Sequence, residues 1–411
     1  MRYRREIVIL CEIVESYNSS GSTGIAIDKF ELDVDDLLES FEELEDPRSE
    51  TNRKHPLPSV LMIAVMGILA GNGGPTGIAE WASDKQKWLM SILDLPHGIP
   101  RKDVYRRVLI ALDPEPFQRC FQAWVADLTQ AARESTGVDR PILSVDGKTV
   151  RRSHDQAQGL KALHAVSVWA GDYGLTLAQT ACEEKSNEIT AIPEALKLVN
   201  CEGTIVTIDA MGCQKDIANQ IVEQGGDYVL TLKPNHEKLH QAVKDYVDAQ
   251  LDDDFQSVPA RKHMTDEKAH GREERRIYVQ MPVPEEISSQ HEWTGLKTIG
   301  VAMLTTVKNG KTTSDVRYFI SSLNMGVQEF ARAVRGHWAI ENSCHWVLDM
   351  VFREDESRIR QQRIRESFAW LNKFTLSLLK QHPAKQSIAM KRRRCAWNEE
   401  FLWEVMIGSV A

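Results

Sequence analysis

The sequence predicts an α/β protein in which a mixed β-sheet with helical crossovers forms the core. Three observations predict this architecture. Residues 57–135 carry helical patterns, which indicates an all-α N-terminal domain in front of the core. From residue 140 onward, short apolar runs of strand type alternate with helical segments, as in sheets whose strands are joined by helices. Residues 235–325 break this alternation with further strand-like runs, which indicates a β-rich insertion.

The first 50 residues are predicted to be an acidic, partly disordered lead-in. Residues 28–50 contain eleven Asp and Glu but only two Lys and Arg, a local charge of −9. The whole chain also has a formal charge of −9, so the remaining residues sum to zero. The overall negative charge therefore does not exclude a polyanionic partner. The segment is either a solvated helical face or a disordered stretch.

Residues 51–138 are predicted to form the helical N-terminal domain. The run "VLMIAVMGILAG" leads into a glycine-rich stop, which is typical of a buried helix. Ile78, Trp81 and Trp88 are spaced three and seven residues apart, which puts them on one face of a helix. The breaker "PHGIP" and the basic helix "RKDVYRRVLIAL" follow. The pair is either a helix-turn-helix that binds DNA ends or an ordinary helical hairpin.

Residues 139–380 are predicted to form the core domain, and residues 381–411 a basic tail. The core reads as three strands, then helix, strand, helix and strand, with "GDYG" as the hairpin turn between the second and third strands. The predicted strands are "PILSV", "LHAVSVWA", "LTLAQTAC", "TIVTIDA" and "YVLTLK". After the insertion, a long amphipathic helix is predicted to begin at about residue 326.

Two aspartates follow apolar strands of the predicted sheet. Asp146 comes after "PILSV", and Asp209 ends "TIVTID". Strand ends in mixed α/β sheets gather polar groups into a common site, so neighbouring strands would place these acids face to face. Two carboxylates that close stay ionised only with a cation between them, and Mg²⁺ prefers such oxygen ligands. The alternative is an ordinary turn in which Asp146 forms a salt bridge with a nearby cation.

Glu341 is the candidate third carboxylate. Its helix has an apolar side, formed by Trp338, Trp346 and Met350, which is predicted to dock on the sheet. His337, Glu341 and His345 are four residues apart and share another face, which is predicted to point into a cleft. The two histidines could instead hold Zn²⁺, although the HExxH spacing of a zinc hydrolase is absent.

Composition and motifs bear on the class of protein. Hydrophobic content of 42% and charged content of 27% are ordinary for a soluble protein, and no apolar run reaches the ~20 residues that span a bilayer. The seven cysteines have no CxxC spacing and no signal peptide is recognised, which favours a cytoplasmic protein with free thiols. The chain lacks the GxxxxGK[ST] and GxSxG motifs of nucleotide hydrolysis and triad chemistry.

Basic segments suggest a polyanionic partner. Residues 353–394 contain twelve Lys and Arg against four Asp and Glu. This segment is either a surface that binds a polyanion, with Arg393 and Arg394 as contacts, or a solvated helix pair. "HGREERR" in the insertion, with Arg272, is a second candidate strip or else an exposed charged hairpin. A carboxylate pair could also hydrolyse a glycoside, but basic residues do nothing for a neutral sugar.

Four motifs in order resemble one family. They are "LSVDGKTVRRS", "VTIDAMGCQKDIA", "DYVLTLKPNH" and "GHWAIENSCHWVLDMVFREDESR". Together they resemble the ISAs-type insertion-sequence transposases of the DDE superfamily, also called H-repeat-associated, Rhs-linked proteins. Upstream, "LEDPRSETNRKHPLPSVLMIAVMGILAG" and "GIPRKDVYRRVLIALDP" look like the family's associated N-terminal region. The resemblance covers roughly residues 40–400.

The resemblance implies a ribonuclease-H-like catalytic core, with Asp146, Asp209 and Glu341 as catalytic and metal-binding acids. It implies two Mg²⁺ ions, with Mn²⁺ as a substitute. Water would free a 3′-hydroxyl at the element's end, and this hydroxyl would then attack target DNA. Related transposases often have a tyrosine, an arginine and a lysine around the glutamate, where this chain has Val334, His337 and Leu348.

The DNA-binding residues expected from the resemblance are taken from the motifs and basic segments. They are Lys148, Arg151, Arg152, Lys233, Arg272, His337, Arg393 and Arg394. The implied partners are double-stranded DNA, as terminal inverted repeats and target, and a second copy of the chain on the paired ends. No membrane partner is expected, and the bacterial protein would be nucleoid-associated when bound. The alternatives are an inactive DNA-binding remnant and a nuclease without strand transfer.

Overall fold

The computed structural model describes residues 34–182, 188–251, 255–269 and 271–407. The predicted disorder of the acidic lead-in falls mainly on residues 1–33, which lie outside the described residues. The described chain forms two compact units. The helical unit comprises the described parts of Met1–Gly137, Arg152–His154 and Leu348–Ala411, and the sheet unit comprises those of Val138–Arg151 and Asp155–Val347. The domain boundaries given above stay predictions.

The N-terminal part of the helical unit consists of seven helices. They are α1 (Val34–Glu42), α2 (Leu57–Leu69), α3 (Pro75–Asp84), α4 (Gln86–Ile92), α5 (Lys102–Ala111), α6 (Pro114–Arg119) and α7 (Gln122–Thr136). The prediction of a buried helix is confirmed by α2, in which all residues but Pro58 are buried. The single helical face predicted for Ile78, Trp81 and Trp88 is wrong, because α3 ends before Lys85 and Trp88 belongs to α4.

The sheet unit is built on one nine-stranded mixed sheet. Its strands are β1 (Ile142–Val150), β2 (Leu163–Ala170), β3 (Leu175–Cys182), β4 (Ile205–Ile208), β5 (Asp227–Leu232), β6 (Arg261–Ala269), β7 (Arg272–Pro282), β8 (Thr298–Lys308) and β9 (Lys311–Ser321). The order across the sheet is β3-β2-β1-β4-β5-β9-β8-β7-β6. β4 runs parallel to β1 and β5, and the other neighbours are antiparallel. The prediction of a mixed α/β sheet is therefore confirmed.

The insertion strands β6 to β9 extend the same sheet. They form an antiparallel series, and β9 pairs with β5, so the sheet continues without a break from the core strands. The helices of the sheet unit are α8 (Glu188–Lys197), α9 (Lys215–Glu223), α10 (Glu237–Leu251), α11 (Glu285–His291) and α12 (Val327–Ala339). A π-helical segment, Ile340–His345, follows α12 and leads into α13 (Trp346–Met350).

Helix α12 packs on the sheet through small and aromatic residues. Phe330, Ala331 and Val334 belong to one buried cluster with Ile142 of β1 and Ile205 of β4. The predicted docking side of this helix is wrong, since Trp338, Trp346 and Met350 are 40%, 58% and 63% exposed. The docking side of α12 is therefore the one that carries Phe330, Ala331 and Val334.

Phe330 of α12 packs closely against Gly300 of β8, and this contact provides a test of the packing. A Cβ at Gly300 would overlap the ring of Phe330. The Gly300→Ala variant is therefore expected to lose about 1–3 kcal/mol of unfolding free energy, the usual cost of overpacking a core. Denaturant unfolding measures the loss. Gly73→Ala is the control, because a Cβ there meets nothing within 4 Å. Equal stability of both variants would contradict the packing described.

The C-terminal part of the helical unit contains α14 (Gln362–Gln381), α15 (Ile388–Trp397) and α16 (Glu399–Ile407). Two cations of the predicted basic surface, Lys391 and Arg392, are buried here. Lys391 Nζ donates to the carbonyl oxygens of Leu379 and His382 at 2.8 and 2.5 Å. Arg392 donates to backbone carbonyls and stacks 3.9 Å from the centre of the Phe352 ring. These two side chains thus satisfy buried carbonyl groups, and they do not contribute to a surface for a polyanion. None of the described helices is long and apolar enough to cross a membrane.

Candidate catalytic site

Asp146 and Asp209 occupy matching positions on two neighbouring parallel strands. Val145 of β1 pairs with Ile208 of β4; Asp146 is the next residue of β1, and Asp209 is the first residue after β4. Neighbouring strands lie about 4.8 Å apart, so the two aspartates start from adjacent backbone positions. Asp209 Oδ1 accepts hydrogen bonds from the backbone N–H groups of Met211 and Gly212, at 3.0 and 3.4 Å. The turn after β4 therefore holds this carboxylate in place.

The two aspartates are on the face of the sheet that α12 covers. Ser144 lies two residues before Asp146, and its hydroxyl contacts the carbonyl oxygen of Gly336 in α12. Thr207 lies two residues before Asp209, and its Oγ1 is 3.1 Å from Nδ1 of His337. Because side chains alternate along a strand, each aspartate shares its face with these contacts.

The electrostatics of Asp146 reflect a concentration of negative charge. Burial raises the pKa of the Asp146 carboxyl to about 7, and the negative charges of Asp209, Glu341 and Glu188 add to this rise. The backbone N–H of Gly147 acts in the opposite direction. A carboxylate influenced by three others has a strong electrostatic reason to bind a cation.

Glu341 lies in the π-helical segment that separates α12 from α13. Its side chain is exposed, whereas Ile340 and Cys344 of the same segment are buried. A π-helical turn inserts an extra residue, so the even four-residue stripe expected for His337, Glu341 and His345 is interrupted. The two histidines nevertheless reach the aspartates' surroundings, since His345 Nδ1 is 3.4 Å from Asp146 Oδ2. Burial lowers the pKa of His337, which favours the neutral imidazole.

The donor chemistry suits a hard divalent cation, although a complete cage is not formed. Within the described ranges, no group of three or more His, Cys, Asp or Glu side chains is arranged to hold a metal ion. The stripe of His337, Glu341 and His345 considered for Zn²⁺ is likewise not arranged to hold a metal ion. The two aspartates at adjacent strand positions supply the carboxylate oxygens that Mg²⁺ prefers. The site therefore suits Mg²⁺ in the type of its ligands and in the strand positions of the two aspartates. Glu341 lies on the helical segment that follows α12.

A buried pair that the sequence did not predict lies on the opposite face of β1. His164 Nε2 of β2 is 2.6 Å from Glu188 Oε1 of α8, and His164 Nδ1 is 2.7 Å from Thr149 Oγ1. A Cβ at Gly147 would overlap Glu188 Oε1 and would lie 2.5 Å from His164 Nε2. A glycine directly after Asp146 is thus required for close packing of this pair. The glycine of "VDGK" was the signal in the sequence, but its partners are distant along the chain.

The expected DNA contacts fall into different environments. Arg151, Arg152 and Lys233 are exposed, whereas Lys148 is buried in β1. Arg393 is exposed.

Two further arginines in that set already have protein partners. Arg394 contacts Gln386 Oε1 at 3.2 Å, and its guanidinium lies 3.7 Å from the centre of the Phe401 ring. The Nε of Arg272 lies 2.8 Å from Glu274 Oε1. The structure places Asp146, Asp209 and His337 at the same face of the sheet, and the expected cations are spread over both units.

Comparison with known proteins adds independent findings. Residues 137–378 match the family described as Transposase DDE domain, and residues 38–125 match the family described as DDE_Tnp_1-associated. The chain is 36% identical over 380 residues to "Putative transposase YncI" of Escherichia coli O157:H7, covering 91% of this chain and 95% of that protein. It is 32% identical over 384 residues to "H repeat-associated putative transposase YhhI" of Escherichia coli strain K12, covering 92% and 99%. An uncharacterized protein from the dhlA 3′ region of Xanthobacter autotrophicus is 40% identical over 285 residues, covering 69% and 92%.

Proposed function

Because the chain belongs to the transposase DDE domain family, we propose that it cuts phosphodiester bonds at the ends of its element and joins the ends to target DNA. The family membership confirms the resemblance seen in the four sequence motifs. It also implies a ribonuclease-H-like core, and the strand order β3-β2-β1-β4-β5, with β4 and β5 parallel to β1, supports that fold.

The observation that carries the proposal is that Asp146 and Asp209 each directly follow the paired residues Val145 and Ile208 of adjacent parallel strands. The helical segment that bears Glu341 also brings His345 to Asp146. In this proposal two neighbouring strands and the helical segment after α12 would contribute one carboxylate each. The raised pKa of Asp146 supports the convergence, because Asp209 and Glu341 are among the charges that raise it.

We assign Asp146 and Asp209 as the fixed ligands of divalent ions. Glu341 is exposed and would turn toward the aspartates to complete the ligand set. The ions would activate the attacking oxygen and stabilise the leaving oxygen of the phosphodiester. Mg²⁺ is the expected ion because it is commonly held by one or two carboxylates together with substrate phosphate.

The neighbouring histidines would keep the carboxylates in position. His345 contacts Asp146, and a neutral His337 remains next to Thr207 beneath Asp209. The reaction itself needs no protein nucleophile. Water would attack the phosphorus at the element's end and release a 3′-hydroxyl, and this hydroxyl would attack a phosphorus of target DNA, releasing a new 3′-hydroxyl there.

A labelled-DNA assay tests this proposal and separates it from its two alternatives. The substrate is a duplex that carries the sequence flanking the gene, incubated with the full chain, Mg²⁺ or Mn²⁺, and unlabelled target DNA. A joined product is the expected result. Cleavage without joining would instead support a nuclease without strand transfer. Binding without cleavage would support an inactive remnant, and either result would overturn the proposed function.

A further inference from the structure

A groove beside the candidate catalytic site is lined by arginines whose charges are partly neutralised by glutamates. The groove has a volume of about 440 Å³ and lies against the helical segment that carries Glu341. Asn342, the residue after Glu341, is part of its lining. The charged and aromatic residues that line it are Glu267, Arg272, Glu274, Arg276, Arg335 and Trp338.

Two glutamates in this groove contact three guanidinium groups. Glu267 Oε2 lies 2.8 Å from Nη2 of Arg335 and 3.1 Å from Nη1 of Arg276. Glu274 Oε1 lies 2.8 Å from Nε of Arg272, and Glu274 also pairs with Arg276. The set carries three positive and two negative charges, so each arginine has a carboxylate partner and a net positive charge remains.

The two glutamates differ in how firmly they are held. Glu274 and Arg276 side chains are only 10% and 12% exposed, so their pair is part of the packed structure. Glu267 and Arg335 are 45% and 50% exposed, and exposed ion pairs are weak because water and salt screen them. In addition, Arg276 Nη1 is a buried donor that lacks a hydrogen bond, and its contact with Glu267 is electrostatic only. Glu267 can therefore be displaced by a better acceptor.

The chemistry of the groove indicates that a phosphate group could displace Glu267. Planar guanidinium groups bind phosphate oxygens in the same paired geometry in which they bind carboxylates. Trp338 borders the groove and is 40% exposed, with the Arg317 guanidinium 4.7 Å from its ring centre. Arginines with an exposed aromatic ring are the combination that binds nucleic-acid strands.

We propose that this groove binds a backbone phosphate of the DNA strand that reaches Glu341, and that Glu267 occupies the place of that phosphate in the DNA-free protein. The inference rests on the proposed function, because it takes DNA as the substrate. Its consequence is specific: Glu267 weakens DNA binding, so its removal strengthens binding. Arg335 loses an internal partner when DNA binds and gains a phosphate.

The test measures DNA affinity of the full chain by fluorescence anisotropy with a labelled duplex of the gene's flanking sequence. Glu267→Gln keeps the size of the side chain and removes its charge. It is expected to tighten binding by about two- to fivefold, the range that corresponds to one exposed ion pair. Arg335→Gln is expected to weaken binding and to lower the slope of log affinity against log salt by about 0.9 in magnitude, the value for one phosphate contact.

Glu273→Gln is the matched control. Glu273 lies next to Glu274 on β7, the strand paired with the one that carries Glu267. It is 58% exposed, pairs with Lys268, and is not part of the groove lining. The proposal expects no change in affinity for this variant. Unchanged or weaker binding by Glu267→Gln would overturn the proposal, as would equal tightening by Glu273→Gln, because that would be a general charge effect.

The outcomes of this test are distinguishable from failure of the proposed function. If the wild-type chain joins DNA ends but Glu267→Gln binds no tighter, only the groove assignment fails. If the wild-type chain neither binds nor cleaves the duplex, the proposed function fails and the groove assignment fails with it. Thermal unfolding of each variant confirms that an exposed substitution has left the fold intact.

Discussion

Replacing Asp209 with asparagine is expected to reduce cleavage of the element end by at least about a thousandfold, because metal-bound carboxylates supply several kcal/mol of transition-state stabilisation. The variant keeps the fold, since the asparagine Oδ1 can still accept from the backbone N–H groups of Met211 and Gly212. DNA binding should also persist, because the charge removed is negative. Cleavage of the labelled duplex and anisotropy measure the two properties separately.

Asp216→Asn provides the matched control for Asp209→Asn. Asp216 lies seven residues along the chain, in the first turn of α9, and its side chain is exposed. This variant is expected to cleave at the wild-type rate. Cleavage by Asp209→Asn within about tenfold of wild type, a difference of only ~1.4 kcal/mol, would show that Asp209 is not a metal ligand.

Glu188→Ala is expected to cost about 3–5 kcal/mol of unfolding free energy, which is typical when one partner of a buried pair is removed. The side chains of His164 and Glu188 are 3% and 6% exposed, and His164 Nε2 lies 2.6 Å from Glu188 Oε1. Loss of Glu188 also leaves a space next to Gly147, directly behind Asp146. Denaturant unfolding of the full chain measures the change.

Glu194→Ala, on the same helix as Glu188, is the control for that experiment. Glu194 is 57% exposed and pairs with Lys197 three residues later. Its replacement is expected to change stability by less than about 0.5 kcal/mol, as for most surface positions. A Glu188→Ala variant that loses less than about 1 kcal/mol would show that the buried pair contributes little net stability.

Several features of the fold could be predicted because they depend on local patterns. The hairpin of β2 and β3 followed from apolar alternation on either side of Gly171–Gly174, and the structure has that turn. The sequence placed Asp146 and Asp209 at the ends of apolar strands and predicted that they face one another if those strands are neighbours. The parallel pairing of β1 with β4 makes these strands neighbours.

Other features depend on contacts between distant segments, and no local pattern contains them. Trp338 and Trp346 were predicted to dock on the sheet because their spacing gives an apolar side. In the structure they are exposed, and Phe330 and Ala331 are packed on the sheet instead. The basic run that includes Lys391 resembles an exposed polyanion-binding surface in the sequence. In the structure, Lys391 is buried and donates to the carbonyl oxygen of Leu379. The π-helical segment at Glu341 likewise departs from the even four-residue spacing that the sequence predicted for His337, Glu341 and His345.

Binding of Mn²⁺ measures most directly whether the three acids form one metal site. Electron paramagnetic resonance detects free Mn²⁺, so its signal falls as the protein takes up the ion. Wild-type protein is expected to bind Mn²⁺ at least about tenfold more tightly than the double variant Asp146→Asn and Asp209→Asn, a difference of ~1.4 kcal/mol or more, with Glu341→Gln between them. Equal Mn²⁺ affinity in the wild-type and double-variant proteins would contradict the assignment of these carboxylates as the metal site.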